Sequence, residues 1–495
     1  MFLIYTLFTF AENRLLSNLE SKKTDMQTIR GVIMSKTTKS PMRGVIILTL
    51  DLILFFLLLK WLPFSPQENR GLALLIFVGI LWLTEAFNIT VTSLMVPIFA
   101  IFLNVLSTKA AFAPFSEPII FMFFGGFVIA AVLNIHQIDL WIANHVIRLA
   151  KGNLKRTIIY LFAVTAGLSL FINNTAVAAL MLPLSLGILH QLDFKEHRKI
   201  YVFVLLGIAF SSSIGGMGTV VGSAPNAILA SYIKVSFSEW LAYGMPVAIL
   251  LMISMVIALL AVLRPNFNVP FEAKVENIPL TPKRLTTLIV FCVTAVLLTF
   301  SSAIEPIVRQ VLELKESIKS FDAVIAMVAV VVLCITNTAT WSQIQERAEW
   351  GVLMLFGGGL TLGIVLKDTG ASKILADGIV NYIGNKHWLI MTLSMAAFIV
   401  FLTEFTSNTA SAALMMPIFI SVANSLGLPP ISLAAIIACG ASAAFMLPIA
   451  TPPNAIVFAT GYIKQSEMVK VGLILNLLCV AILGCMSYFF WTTWW

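Results

Sequence analysis

Charge is what this sequence has least of. Only 11% of its 495 residues are Asp, Glu, Lys or Arg, where a soluble globular domain carries about a quarter. Most of the chain therefore has no surface suited to water. Cysteine is sparse as well: Cys292, Cys334, Cys439, Cys479 and Cys485 each sit inside an apolar stretch, with no CxxC pair. That excludes a disulfide framework or thiolate metal site and leaves buried, inert thiols. The five histidines are scattered singly, with no HExxH and no Ser/His/Asp arrangement, so hydrolytic chemistry has no machinery here. A GxxxxGK[ST] loop is also absent, and with it a nucleotide-driven pump.

What is present is hydrocarbon. Apolar residues make up 59% of the chain, in blocks of which many reach the roughly 20 residues needed to cross a bilayer as helix. They do not alternate as barrel strands would. The blocks lie near 44–64, 70–88, 90–107, 118–147, 157–192, 200–233, 239–263, 285–304, 321–336, 350–382, 388–426, 431–463 and 467–491. The expected fold is an all-α polytopic membrane protein with about 11 transmembrane helices.

The formal charge of +8 is distributed as a membrane protein requires, not as a nucleic-acid binder would have it. Residues 1–43, "RLAKGNLKR" (148–156), "DFKEHRK" (193–199) and the segment 264–284 are net basic and separate apolar blocks. The positive-inside rule puts all four in the cytoplasm. Block 157–192 is flanked by two of them, so it enters and leaves on one face as a re-entrant hairpin. The opening "MFLIYTLFTFAENRLL" is too short to span and lacks a basic start. It reads as an interfacial or disordered tail, or as residues upstream of a true start at Met26 or Met34.

The chain repeats itself. "NNTAVAALMLP" (173–183) matches "SNTASAALMMP" (407–417) 234 residues on, and "GSAPNAILASYI" matches "ATPPNAIVFATGYI" with Pro225-Asn226 and Pro453-Asn454 228 apart. "FFGGFVIAAVL" recurs as "LFGGGLTLGIVL" at an offset of about 232. Three ordered matches at nearly one spacing indicate duplication. The odd number of crossings between equivalents makes it inverted, so that the hairpin at 388–426 opens to the opposite face. Such inverted repeats with interrupted spans are typical of secondary transporters, whose sites lie where the repeats meet.

Non-helical backbone inside a bilayer costs several kcal/mol per unsatisfied group. The interruptions expected at 173–175, 211–226, 406–409 and 450–454 are therefore tolerable where they line something polar. Asn174 and Asn408 offer amide oxygens to a hard cation such as Na⁺. Half-helix N-termini with Thr175, Ser407 and Thr409 suit an anion. Pro225 and Pro453 stop the helix from running through, while Gly215, Gly216, Gly218 and Gly222 allow close approach or positive φ. No Arg or Lys lies in any of the four interruptions, so the charge of a bound dianion is expected to be offset by bound cations together with helix ends. A single "SNT" is an ordinary capping turn; two at a repeat offset, each with a "PN" break, are not. For Glu404 and Glu85 a structural or helix-end role outweighs ligand contact, and "GGF" and "GGG" read as tight packing sites.

"FTSNTASAALMMP", "FMLPIATPPNAIVFATGYI", "SIGGMGTVVGSAPNAIL" and "GVLMLFGGGL" together resemble the divalent anion/sodium symporter family, which includes dicarboxylate and citrate transporters; the resemblance spans 44–495. It implies an elevator-type carrier, a homodimer, with no organic cofactor. Its parts would be a cytoplasmic tail (1–43), scaffold segments (44–156 and 264–382) and a transport domain (157–263 and 383–495). The resemblance also implies Na⁺ at Ser169, Asn173, Asn174 and Gly222 and at Thr403, Ser407, Asn408 and Ala450. Substrate would lie at Asn173, Asn174, Thr175, Ser407, Asn408 and Thr409, with Thr451 and Pro452 nearby. The function implied is symport of several Na⁺ with a C4 dicarboxylate across a bacterial inner membrane, with membrane lipid as the surrounding partner. Sodium-independent exchange, or Na⁺-coupled transport of citrate or sulfate, stays open. Asn173 stands where the family has Ser, and Ala224 where it has Pro, which bears on substrate choice.

Overall fold

The computed structural model describes residues 41–150, 152–269, 278–383 and 388–492. The expected tail thus lies outside the described residues up to position 40, and Pro41 opens the first described helix. The chain divides into two units at Asp51/Leu52, within the first described helix. Among the described residues the regular structure is helical: α1 Pro41–Trp61, α2 Pro66–Thr84, α3 Ile89–Phe102, α4 Thr108–Phe112, α5 Pro118–Ile135, α6 Ile138–Arg148, α7 Leu154–Ser169, α8 Asn174–Leu189, α9 Phe194–Met217, α10 Ala224–Ile233 and α11 Phe237–Leu263. The second half continues with α12 Pro282–Thr299, α13 Ser301–Val311, α14 Phe321–Ile335, α15 Trp341–Arg347, α16 Trp350–Thr369, α17 Ala371–Ile383, α18 Trp388–Thr403, α19 Asn408–Ser425, α20 Pro430–Ala441, α21 Pro452–Phe458 and α22 Gln465–Met486. Among the described residues, seven helices are long and apolar enough to cross a membrane, and several shorter apolar helices accompany them.

Local chemistry sets the boundaries. Ser65 and Glu68 form a capping box at α2, with Pro66 at its first position, and Ser236 with Glu239 does the same for α11. Three blocks read as single spans each divide. Block 118–147 becomes α5 and α6 because Gln137 turns left-handed (φ 53°), and block 350–382 becomes α16 and α17 at Gly370 (φ +80°). Glycine reaches that region without a Cβ penalty. Block 285–304 likewise divides between α12 and α13.

The inner layer is α9 and α20, buried from Ile200 to Met217 and from Ile431 to Ala441 respectively. Outer helices such as α12 and α14 present exposed Ile289, Val293, Val328 and Val331, the face expected toward lipid. The Gly-Gly stretches do pack tightly: a Cβ at Gly125 would meet the Ala326 backbone, and one at Gly358 would lie 2.4 Å from the Ser93 carbonyl. Accordingly α5 lies on α14 and α16 on α3.

Candidate functional site

Each stretch read as a re-entrant hairpin is a pair of helices joined by a short turn. The first is α7 and α8 with its tip at 170–173; the second is α18 and α19 with its tip at 404–407. The breaks are placed differently from expectation. Helix α9 continues through 211–217 before interruption at 218–223, because the small Ser and Gly side chains there let its backbone stay helical against α7. The second break begins earlier than expected, at Ser442, and ends at Thr451. None of Gly215, Gly216, Gly218 or Gly222 has positive φ among the described glycines; their role is close approach.

The same construction ties each tip to its broken helix. In the first repeat the Ser169 hydroxyl donates to the Ser212 carbonyl (2.6 Å) and lies 2.7 Å from Oδ1 of Asn174. In the second, Thr403 lies 2.8 Å from the Ala441 carbonyl and 2.7 Å from Oδ1 of Asn408. A hydroxyl carries one hydrogen, so each center holds one more close oxygen contact than it has protons to fill. Around the first, a Cβ at Gly216 would sit 2.3 Å from Asn174 Oδ1 and 2.8 Å from the Gly222 carbonyl. One at Gly222 would sit 2.6 Å from the Gly216 carbonyl and 2.9 Å from that of Ser169. Oxygens of Ser169, Asn174, Gly216 and Gly222 therefore converge where only glycine leaves room.

The breaks themselves are pinned by the Pro-Asn residues. Asn226 donates through Nδ2 to the carbonyls of Gly216 (3.0 Å), Met217 (3.1 Å) and Thr219 (2.7 Å). Asn454 does so to those of Ala444 (3.0 Å) and Leu447 (3.1 Å). The second break has a further anchor: Glu404, 1% exposed, accepts from the backbone N–H of Phe445 (2.8 Å), Met446 (2.9 Å) and Leu447 (3.1 Å) and from the Asn476 amide (2.7 Å). Its role is thus structural, and Glu85 terminates α2 as a left-handed cap.

The two breaks meet. Ser223 and Ser442 hydroxyls are 3.3 Å apart, and the rings of Phe210 and Phe445 stack edge-on at 5.2 Å. Each short half-helix packs across the repeat boundary: α10 against α19 and α20, and α21 against α8 and α9.

Other predicted residues are placed less uniformly. Thr175, Ser407 and Thr409 are half-buried at the first turns of α8 and α19. Thr451 is buried as the cap of α21, and Pro452 is exposed beside it. Ala450 is half-buried within the second break, its N–H donating to Leu447. Asn173 is exposed and otherwise engaged: Oδ1 caps Thr175 (2.8 Å) while Nδ2 donates to Glu349 (2.8 Å). Its carboxamide is therefore not part of the Ser169–Asn174 cluster. Sequence reasoning missed Glu349, Ser212 and the pinning amides. The exact 228-residue pairing of the two Pro-Asn steps was the signal for the last. No group of three or more His, Cys, Asp or Glu able to hold a metal exists among the described residues.

A sequence profile described as citrate transporter matches residues 79–423 and 318–495. A Haemophilus influenzae protein named only as an uncharacterized transporter is 56% identical over 446 residues, 90% of this chain and 97% of that one. The sodium-dependent dicarboxylate transporter SdcS of Staphylococcus saprophyticus is 30% identical over 478 residues, covering 90% of each. Among solved structures, the YdaH transporter of Alcanivorax borkumensis superposes with a TM-score of 0.54 at 13% identity, covering 86% of this chain and 99% of that one. MtrF of Neisseria gonorrhoeae gives the same TM-score over 88% and 97%. At that identity the likeness concerns the fold alone.

Proposed function

From the citrate transporter family, to which this chain belongs, we propose secondary active uptake of C4 dicarboxylates such as succinate, malate and fumarate, coupled to symport of several Na⁺. The chain is an integral, multi-pass membrane transporter and not an enzyme. The observation that carries the finer reading is the matched pair of oxygen centers, Ser169–Asn174–Ser212 and Thr403–Asn408–Ala441. A proton-deficient cluster of hydroxyl, amide and main-chain oxygens suits a hard monovalent cation, which relieves the O···O repulsion.

Cations there offset the charge of a dianion held by half-helix N-termini and by Thr175, Ser407, Asn408 and Thr409. Thr451 and Pro452 border that space. The relative named as a sodium-dependent dicarboxylate transporter supports both coupling and substrate class. Inverted repeats let hairpins and breaks (157–263 and 383–495) travel as one body against a scaffold (44–156 and 264–382), in a homodimer in a bacterial inner membrane. Cross-repeat packing of α10 and α21 supports a single moving body.

Citrate is the second reading, favored by the description of the matching profile. Purified protein in liposomes is given labelled succinate, citrate or sulfate, with and without an inward Na⁺ gradient. Na⁺-driven succinate uptake is expected; uptake indifferent to Na⁺, or of citrate or sulfate in its place, replaces this reading.

A further inference from the structure

The contact between Asn173 and Glu349 joins two parts that the proposed mechanism moves past each other. Asn173 is at the first hairpin tip, and Glu349 is the residue that opens α16, a scaffold helix. Aligning "SEPIIFMFFGGF" (116–127) with "AEWGVLMLFGGG" (348–359) makes Glu117 the repeat equivalent of Glu349, and Glu117 likewise opens α5. The equivalent of Asn173 is Ser407. In this structure Glu117 does not hold that partner; its carboxylate is 3.7 Å from the Lys234 ammonium, at the C-terminus of α10.

Two repeats of one fold inserted in opposite senses exchange conformations between the two end states of the carrier. A contact from hairpin one to the scaffold helix of repeat two then has a counterpart, in the opposite state, from hairpin two to the scaffold helix of repeat one. We propose that Glu349 and Glu117 are an alternating pair of positioning residues: Glu349 holds the Asn173 tip in the state seen here, and Glu117 holds the Ser407 tip in the opposite-facing state. Ser407 suits this role because its hydroxyl makes no capping bond to α19 and is free to donate. Lys234 occupies Glu117 while that tip is away. The departure at position 173 then has a physical consequence: an amide caps α8 and reaches Glu349 at once, through opposite ends of one side chain.

The inference rests on the inverted-repeat reading above, and its test uses no substrate. In protein whose five native cysteines are replaced by alanine, the pairs Asn173→Cys/Glu349→Cys and Glu117→Cys/Ser407→Cys are treated in liposomes with a short bifunctional thiol cross-linker. Both pairs are expected to cross-link, whereas Asn173→Cys/Glu117→Cys and Ser407→Cys/Glu349→Cys are not. Adding Glu349→Ala to the second pair removes a charge-assisted hydrogen bond from one end state and is expected to speed its cross-linking about tenfold or more. Glu349→Gln keeps an acceptor oxygen and is expected to speed it less. A role confined to folding would not move that rate. Failure of the second pair where the first cross-links, or an unchanged rate with Glu349→Ala, overturns the proposal. If the cysteine-free protein does not fold, the same pairs go into the native-cysteine chain and the joined peptides are identified by mass spectrometry. Failure of the transport reading is registered separately, by uptake into liposomes of the unaltered protein.

Discussion

Replacing Glu404 measures how much of the second break depends on one side chain. Its carboxylate takes three consecutive backbone N–H groups of the break and the Asn476 amide, all within 3.1 Å. A hydrogen bond to a charged acceptor contributes about 1.5–3 kcal/mol net, and bonds sharing one acceptor do not add. Glu404→Ala strands four donors at a site 1% exposed and is expected to cost about 3–5 kcal/mol. Glu404→Gln keeps one oxygen for Phe445, Met446 and Asn476 but turns an NH₂ toward the Leu447 N–H, for about 1–3 kcal/mol. Thermal stability of the detergent-solubilized protein, followed by size-exclusion elution after heating, should rank wild type above Gln above Ala. Melting unchanged in both variants would refute the anchoring role. Unchanged melting with lost Na⁺ dependence would make Glu404 a ligand.

Gly216→Ala places a methyl 2.3 Å from Asn174 Oδ1 and should abolish uptake, whereas Gly167→Ala, whose Cβ meets nothing within 4 Å, should leave uptake within about twofold. Ser169→Ala and Thr403→Ala each remove the hydroxyl that joins a tip to its broken helix. Each is expected to raise the Na⁺ concentration for half-maximal uptake about tenfold, the equivalent of roughly one hydrogen bond to an ion. Asn476→Ala should destabilize the protein by about 1–3 kcal/mol without altering Na⁺ dependence, measured by the same heating and uptake assays.

The all-helical fold, the two tight turns at 170–173 and 404–407 and the existence of both breaks were legible because each leaves a local mark: long apolar blocks, a small polar tip and a Pro-Asn step. Their limits were not. Residues 211–217 look like a break by composition, yet small side chains there serve packing against α7 with the helix intact. Residues 442–449 are mostly small or apolar and look like helix, because the carboxylate that satisfies their N–H groups, Glu404, comes from about 40 residues upstream and only Asn454 is close in sequence. The divisions at Gln137 and Gly370 depend on single left-handed residues, which hydropathy blocks average away. Glu349 reaches Asn173 across 176 positions, and no local pattern announces such a pairing.

Uptake of labelled succinate into liposomes by Asn174→Ala and Asn408→Ala, read across a Na⁺ titration, tests the two oxygen centers most directly. Each variant, folded by size-exclusion elution, should lose Na⁺-driven uptake, since each removes the amide oxygen from one of the two proposed cation centers. Wild-type rates and Na⁺ dependence in either variant would contradict the account for that center, and in both would leave the paired sites without a role in transport.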